Sequence, residues 1–171
     1  MTALYSILAS IIIRAIIVPW HILLVAVGRF SLEGLHQRLG RAPIPERKTR
    51  IRVLIHAVSI GEMAAAEPVV RELLDRGEGG YEFIITTGNK DGMRSAISLQ
   101  KRHPEIVFVQ FLPWDGKAIV LSWLRRLQPD IVAIVETELW PNLFASCGEL
   151  HIPLCLINAR IYPHDVWRYR M

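Results

Sequence analysis

Glu62 follows an apolar run and a short turn, in the stretch HAVSIGE at 56–62. A carboxylate in such a place can act as a general base and take a proton from an acceptor hydroxyl. The same spacing, Ser59-x-x-Glu62, also fits a capping box, in which each side chain satisfies a backbone amide at the start of a helix. The two roles are compatible. Glu136 and Glu138 stand two apart behind the apolar run DIVAIV at 130–135. If that strand continues through them, both carboxylates point to one face. There they can share acid–base work, hold a cation, cap the next helix or pair with Arg160. Asn158 and Arg160 follow a further apolar run, PLCLI at 153–157. An arginine fork at a strand end suits a phosphate or a carboxylate. His56 lies inside an apolar run and reads as a hydrogen-bonded core histidine.

The elements that must position these groups follow one pattern. Ile51–Val58 is the apolar run of a central parallel strand. Ser59 and Gly61 make the turn, and Met63–Leu74 has apolar residues at helical spacing. The alternation then repeats: strands at 81–86, 106–111, 130–135 and 153–157, and helices at 91–102, 115–127 and 140–147. Five strands separated by helices predict βαβ units and a Rossmann-like parallel sheet of the α/β class, with helices on both faces. Ser59, Glu62, Glu136, Glu138, Asn158 and Arg160 all fall just after strands. They gather at the carboxyl edge, where open α/β sheets bind their ligands.

A different kind of segment precedes this domain. Residues 3–27 form an apolar run of about 25 residues containing one charge, Arg14. At about 1.5 Å per residue it can cross a hydrocarbon core of about 30 Å. Arg14 near its middle is costly there, and Pro19 would kink it. An alternative is a helix lying in the membrane plane with Arg14 reaching the headgroups. Residues 1–52 hold eight bases and two acids, a net of +6, and the other 119 hold twelve bases and fourteen acids, a net of −2. Bases downstream of the run place the domain on the cytoplasmic side. The domain itself lacks the charge of a nucleic-acid surface. The boundaries are therefore an anchor helix at 1–30, a basic linker at 31–50 and the Rossmann-like domain at 51–171. The linker reads either as a solvated connector or as a contact for anionic lipid.

The sequence has no G-x-G-x-x-G, no P-loop, no G-x-S-x-G elbow and no metal-ligand spacing. No metal or resident cofactor is expected.

HAVSIGE at 56–62, AAAEP at 64–68, LPWD at 112–115, QPDIVAIVETELWPNL at 128–143 and IPLCLINAR at 152–160 together resemble the N-terminal domain of 3-deoxy-D-manno-octulosonic acid (Kdo) transferases. The apolar leader resembles theirs too. The resemblance implies the N-terminal half of a GT-B glycosyltransferase on the cytoplasmic face of the inner membrane. Such an enzyme moves Kdo from CMP-Kdo to a lipid A precursor. It implies that Glu62, in the S-x-G-E turn with Ser59 and Gly61, is the catalytic base of an inverting transfer. It places Glu136, Glu138, Asn158 and Arg160 near the acceptor. CMP-Kdo would bind a C-terminal domain beyond Met171, so this half is expected to be inactive alone. TTGNKDG at 86–92 and IYPHD at 161–165 depart from the family pattern on the same edge. A non-catalytic, membrane-anchored module that binds lipid or a partner is the alternative.

Overall fold

The protein is described from a computed structural model, which covers residues 2–47, 51–76, 80–136 and 138–159. Five strands form one parallel sheet: β1 (Ile51–His56), β2 (Tyr81–Thr87), β3 (Ile106–Phe111), β4 (Ile131–Val135) and β5 (Leu154–Ile157), in the order β3-β2-β1-β4-β5. This is the α/β class and parallel sheet that the alternation predicts.

Because successive strand residues face opposite ways, each strand feeds two cores. Val53, Ile55, Phe83 and Ile85 pack beneath α4 (Ile60–Arg76) and α5 (Lys90–Arg102). Leu54, Ile84, Val132 and Ile134 pack beneath α6 (Lys117–Leu127) and α7 (Pro141–Glu149). Trp123 and Leu124 of α6 fill the second layer and are fully buried.

Two helix starts differ from expectation by more than one residue. α4 begins at Ile60 rather than Met63, because Ser59 Oγ accepts from Glu62 N at 3.1 Å and caps the helix there. α6 begins at Lys117 rather than Asp115. The Asp115 carboxylate instead accepts from Asn142 N at 3.0 Å and Leu143 N at 2.9 Å, and so caps α7.

Two bases of the basic stretch at 29–52, Arg38 of the linker and Arg52 of β1, are structural parts of the folded domain. Arg52 is 1% exposed within β1, and its Nε donates to Glu82 Oε1 of β2 at 2.5 Å. The two residues are direct register partners. Two further Arg52 donors reach the carbonyls of Leu127 (2.8 Å) and Pro45 (3.2 Å). Residues 32–47 are packed on the domain along one side and exposed on the other. α3 (Leu32–Arg38) buries Leu35 and Gln37, and Ala42 is buried behind it. Arg38 reaches further still, as shown below.

Ala3–Ala26 is a single helix of 24 residues, long and apolar enough to cross a membrane. It comprises α1 (Thr2–Ile12), a π-helical turn (Ile13–Ile17) and α2 (Val18–Ala26). Pro19 lacks the N–H that would continue the regular ladder, and the widened turn sits just before it.

Candidate functional site

The sheet order reverses between β1 and β4: from β1 the chain winds to β2 and β3, and it then returns to β4 and β5 on the other side. Crevices form at such switch points, outside the carboxyl ends of the strands. Glu62 follows β1 and Glu138 follows β4, so both border this crevice.

Glu62 is 7% exposed. Its Oε2 accepts from Val58 N at 2.7 Å, one residue before the usual partner in a capping box. Its other oxygen makes no hydrogen bond among the described residues. Gly61 is exposed, and a Cβ added to it would meet only Ser59 Oγ, at 3.9 Å. A side chain at 61 would therefore meet little of the fold. Gly92, in the first turn of α5, is the opposite case. A Cβ there would fall 2.0 Å from Thr87 Oγ1 and 2.4 Å from the Val58 carbonyl. The close seat of α5 on the β1 turn thus requires glycine at 92.

β4 ends at Val135, and Glu136 takes a left-handed backbone with φ 61°. The strand does not run on through Glu138, so a shared strand face is not what relates the two glutamates. The chain turns at Glu136, whose N–H donates to the Ile157 carbonyl at 2.9 Å. The left-handed region costs a residue with a Cβ roughly 1–2 kcal/mol, and glycine is free of that cost. Glu136→Gly is therefore expected to leave thermal stability unchanged or to raise it by up to ~1 kcal/mol. A clear drop in melting temperature would show that the Glu136 side chain itself supports the fold.

Burial pushes the Glu138 carboxyl above its ordinary value near 4.5, and the charges of Glu62 and Glu136 push it further. The Trp140 indole pulls it back slightly, although its N–H makes no full hydrogen bond. A carboxyl raised on folding resists ionisation in the folded state. Its stability contribution is intact below the ordinary value and is lost as pH rises through the raised one. Glu138→Gln is expected to stabilise the protein at pH 7 by about 0.5–1 kcal/mol, given partial solvent screening, and to give no gain at pH 4. Melting curves at the two pH values check the sign.

Asn158 follows β5, exposed and also left-handed at φ 53°, a conformation asparagine tolerates. Arg160, and with it the pairing of Arg160 with Glu136 or Glu138, lies outside the described residues. So does IYPHD at 161–165.

His56 closes β1 fully buried. Its Nδ1 lies 3.0 Å from Thr86 Oγ1 and 3.2 Å from the Thr86 carbonyl. Its Nε2 has no partner among the described residues, so only half of the expected hydrogen bonding is present. The ring meets Trp140 edge-on at 6.0 Å. Burial lowers the imidazole pKa to about 4, with a further push from the Arg38 charge. His56 is therefore neutral at pH 7.

Arg38 is the residue that sequence reasoning missed. Its two terminal nitrogens donate to the carbonyls of Leu112 (2.9 Å) and Gly88. Its guanidinium covers the Phe111 ring at 4.6 Å. Arg38 thus ties the carboxyl ends of β2 and β3 together, and burial lowers its pKa to about 10. Within a short amphipathic segment ahead of the linker, it gave no signal beyond its charge.

The arrangement offers three carboxylates near a crevice, one held by a backbone amide and one reluctant to ionise. That is acid–base equipment without a metal set: no metal-capable cluster of His, Cys, Asp and Glu occurs among the described residues.

Comparison with known proteins bears on what this equipment serves. Residues 33–171 match the family model described as 3-deoxy-D-manno-octulosonic-acid transferase (kdotransferase). The 3-deoxy-D-manno-octulosonic acid transferase of Bordetella pertussis is 33% identical over 144 residues, covering 80% of this chain and 30% of that protein. That of Haemophilus influenzae is 31% identical over 117 residues, covering 68% and 26%. That of Rickettsia prowazekii is 36% identical over 109 residues, covering 64% and 23%. The chain thus spans about a quarter to a third of the length of these relatives. With a family match across most of its residues, the chain belongs to the Kdo transferase family.

Proposed function

We propose that this chain is the acceptor-binding half of a GT-B glycosyltransferase that moves Kdo from CMP-Kdo to a lipid A precursor in lipopolysaccharide biosynthesis. The observation that carries the reading is Glu62, held by the Val58 amide at the β1/β4 switch point with its second oxygen free of hydrogen bonds among the described residues. In the proposed step Glu62 takes the proton of an acceptor hydroxyl. The acceptor oxygen bonds to the anomeric carbon of Kdo as the bond from that carbon to the CMP phosphate oxygen breaks. CMP leaves with the bonding pair, and the configuration inverts. The donor is bound by a second domain, and this half needs that domain to turn over because both reactants must share one geometry.

Ser59, Gly61, Glu136, Glu138, Asn158 and Arg160 are the proposed acceptor contacts. Ala3–Ala26 is the proposed anchor in the inner membrane. On this reading the domain lies on the cytoplasmic side, where the bases behind the helix meet anionic headgroups.

The test is saturable binding of a lipid A precursor to the detergent-solubilised chain, with Asn158→Ala and Arg160→Ala as comparisons. Expected is binding by the wild type that weakens about tenfold or more when the arginine fork is removed. Wild-type binding that neither substitution changes would move the acceptor away from the strand edge.

A further inference from the structure

The apolar helix touches the domain along its whole length, on one stripe. Tyr5 Oη donates to Asp115 Oδ2 at 2.9 Å, and Ser6 Oγ donates to Asn142 Oδ1. Ile13 is 5% exposed, and a Cβ added at Gly116 would lie 3.2 Å from it. His21 meets the Trp114 ring edge-on at 4.8 Å and the Phe30 ring at 5.0 Å. Residues 6, 13 and 21, with the half-buried Ser10 and Ile17 between them, recur at the spacing of a single helix face. The opposite face carries Leu4, Ile7, Ile11, Ile16, Trp20 and Leu23, all exposed. No acidic residue interrupts it.

We infer that this helix lies in the plane of the membrane surface, clamped along its length to the domain, and does not cross the bilayer. Its partner is the interfacial layer of a bilayer with anionic headgroups. The contacts at Ser6 and His21 are about 22 Å apart along the helix axis. In a helix that stood upright in a core of about 30 Å, they would sit at very different depths. The domain touches both. An upright helix must therefore give up the stripe or drag Asp115 and Asn142 deep into hydrocarbon, where polar groups are costly. A flat helix keeps every contact and sinks only its outward face, about 5–10 Å below the headgroups. It also resolves Arg14, which is exposed beside that face and from there reaches phosphates rather than the bilayer centre. Arg14 borders shared grooves with Lys117 on one side and Arg41 on the other, so the rim is basic where it meets lipid. The domain takes the place of the polar face that a free interfacial helix needs. This inference concerns topology and stands whether or not the proposed reaction is correct.

The experiment is nitroxide depth measurement on the full chain in phosphatidylethanolamine/phosphatidylglycerol vesicles. Labels go on Leu4→Cys, Ile11→Cys and Ile22→Cys in turn, with Cys147→Ala and Cys155→Ala removing the native thiols. The expected result is three shallow depths within about 5 Å of one another. A spanning helix would put Ile11 near the bilayer centre, with Leu4 and Ile22 about 27 Å apart in depth, and that overturns the inference. Failure of the chain to bind the vesicles overturns it too. Oriented-bilayer solid-state NMR of the unsubstituted chain, labelled with 15N at isoleucine, needs no substitution. It should report a helix axis near the bilayer plane, and an axis near the normal refutes the inference.

Discussion

Glu62→Gln, in an enzyme completed with the donor-binding domain of a relative, is expected to lose transfer activity by about 10²–10⁴-fold, the usual weight of a general base. The glutamine keeps the shape of the side chain. Its amide oxygen can still accept from Val58 N, and Ser59 still caps Glu62's backbone amide. The loss of stability should therefore stay within about 1 kcal/mol, the scale of a helix cap. That contrast makes the measurement decisive, because the capping hydrogen bonds favour a rival reading in which Glu62 only starts α4. If it only caps, Glu62→Gln retains activity, and Glu62→Ala lowers the melting temperature without a specific loss of rate. Steady-state transfer and thermal unfolding, measured on the same variants, separate the two.

Arg52→Met is expected to be the most destabilising single substitution at the sheet's other end, costing about 3–5 kcal/mol. The Glu82 carboxylate is fully buried, and Arg52 is its partner at 2.5 Å. Methionine leaves that charge alone and strips two further carbonyls, of Leu127 and Pro45, of a donor. Total stabilities of domains run at about 5–15 kcal/mol, so this loss brings the fold near its limit. Removing both charges should cost far less than removing one. Arg52→Met with Glu82→Gln is expected to recover about half of the loss or more, as read by denaturant midpoints in a double-mutant cycle. A double variant no better than Arg52→Met would mean that the carbonyl contacts, not the ion pair, carry the cost.

The five strands were legible because a sheet covered on both faces needs continuous apolar runs, and VLIHAV, FIIT and IVAIV are such runs. The strand-edge location of Glu62 and Glu138 was legible for the same reason: turns follow strands. Arg38 and Arg52 were not. Each is a base surrounded by other bases, and local sequence cannot tell a charge in water from one that crosses to a carbonyl or a carboxylate tens of residues away. The geometry at Glu136 was hidden for another reason. The residue is left-handed where the chain leaves the β4–β5 ladder, against the preference of glutamate itself, and no local sequence signal marks it. The lengthwise stripe on the apolar helix was partly written in Ser6, Ser10 and His21. Hydropathy averaged over the segment conceals it, because the polar residues are few and the rest of the run is strongly apolar.

The reach of Arg38 across the ends of β2 and β3 bears on how the chain can be shortened for solubility. Cutting away the greasy leader is the obvious step, and the sequence invites a cut anywhere up to residue 50. A cut past Arg38 would remove the donors that serve the Gly88 and Leu112 carbonyls and, with Gln37, the acceptor of the Phe111 amide at 2.9 Å. Three backbone groups at the carboxyl ends of β2 and β3 would then be left to water, beside a bared Phe111 ring. The smallest piece that keeps these contacts starts no later than Ser31, whose hydroxyl begins the helix that carries Arg38. Even that piece exposes the Trp114 and Asp115 surface on which the leader rests, so a soluble fragment would carry a sticky seam where the leader lay.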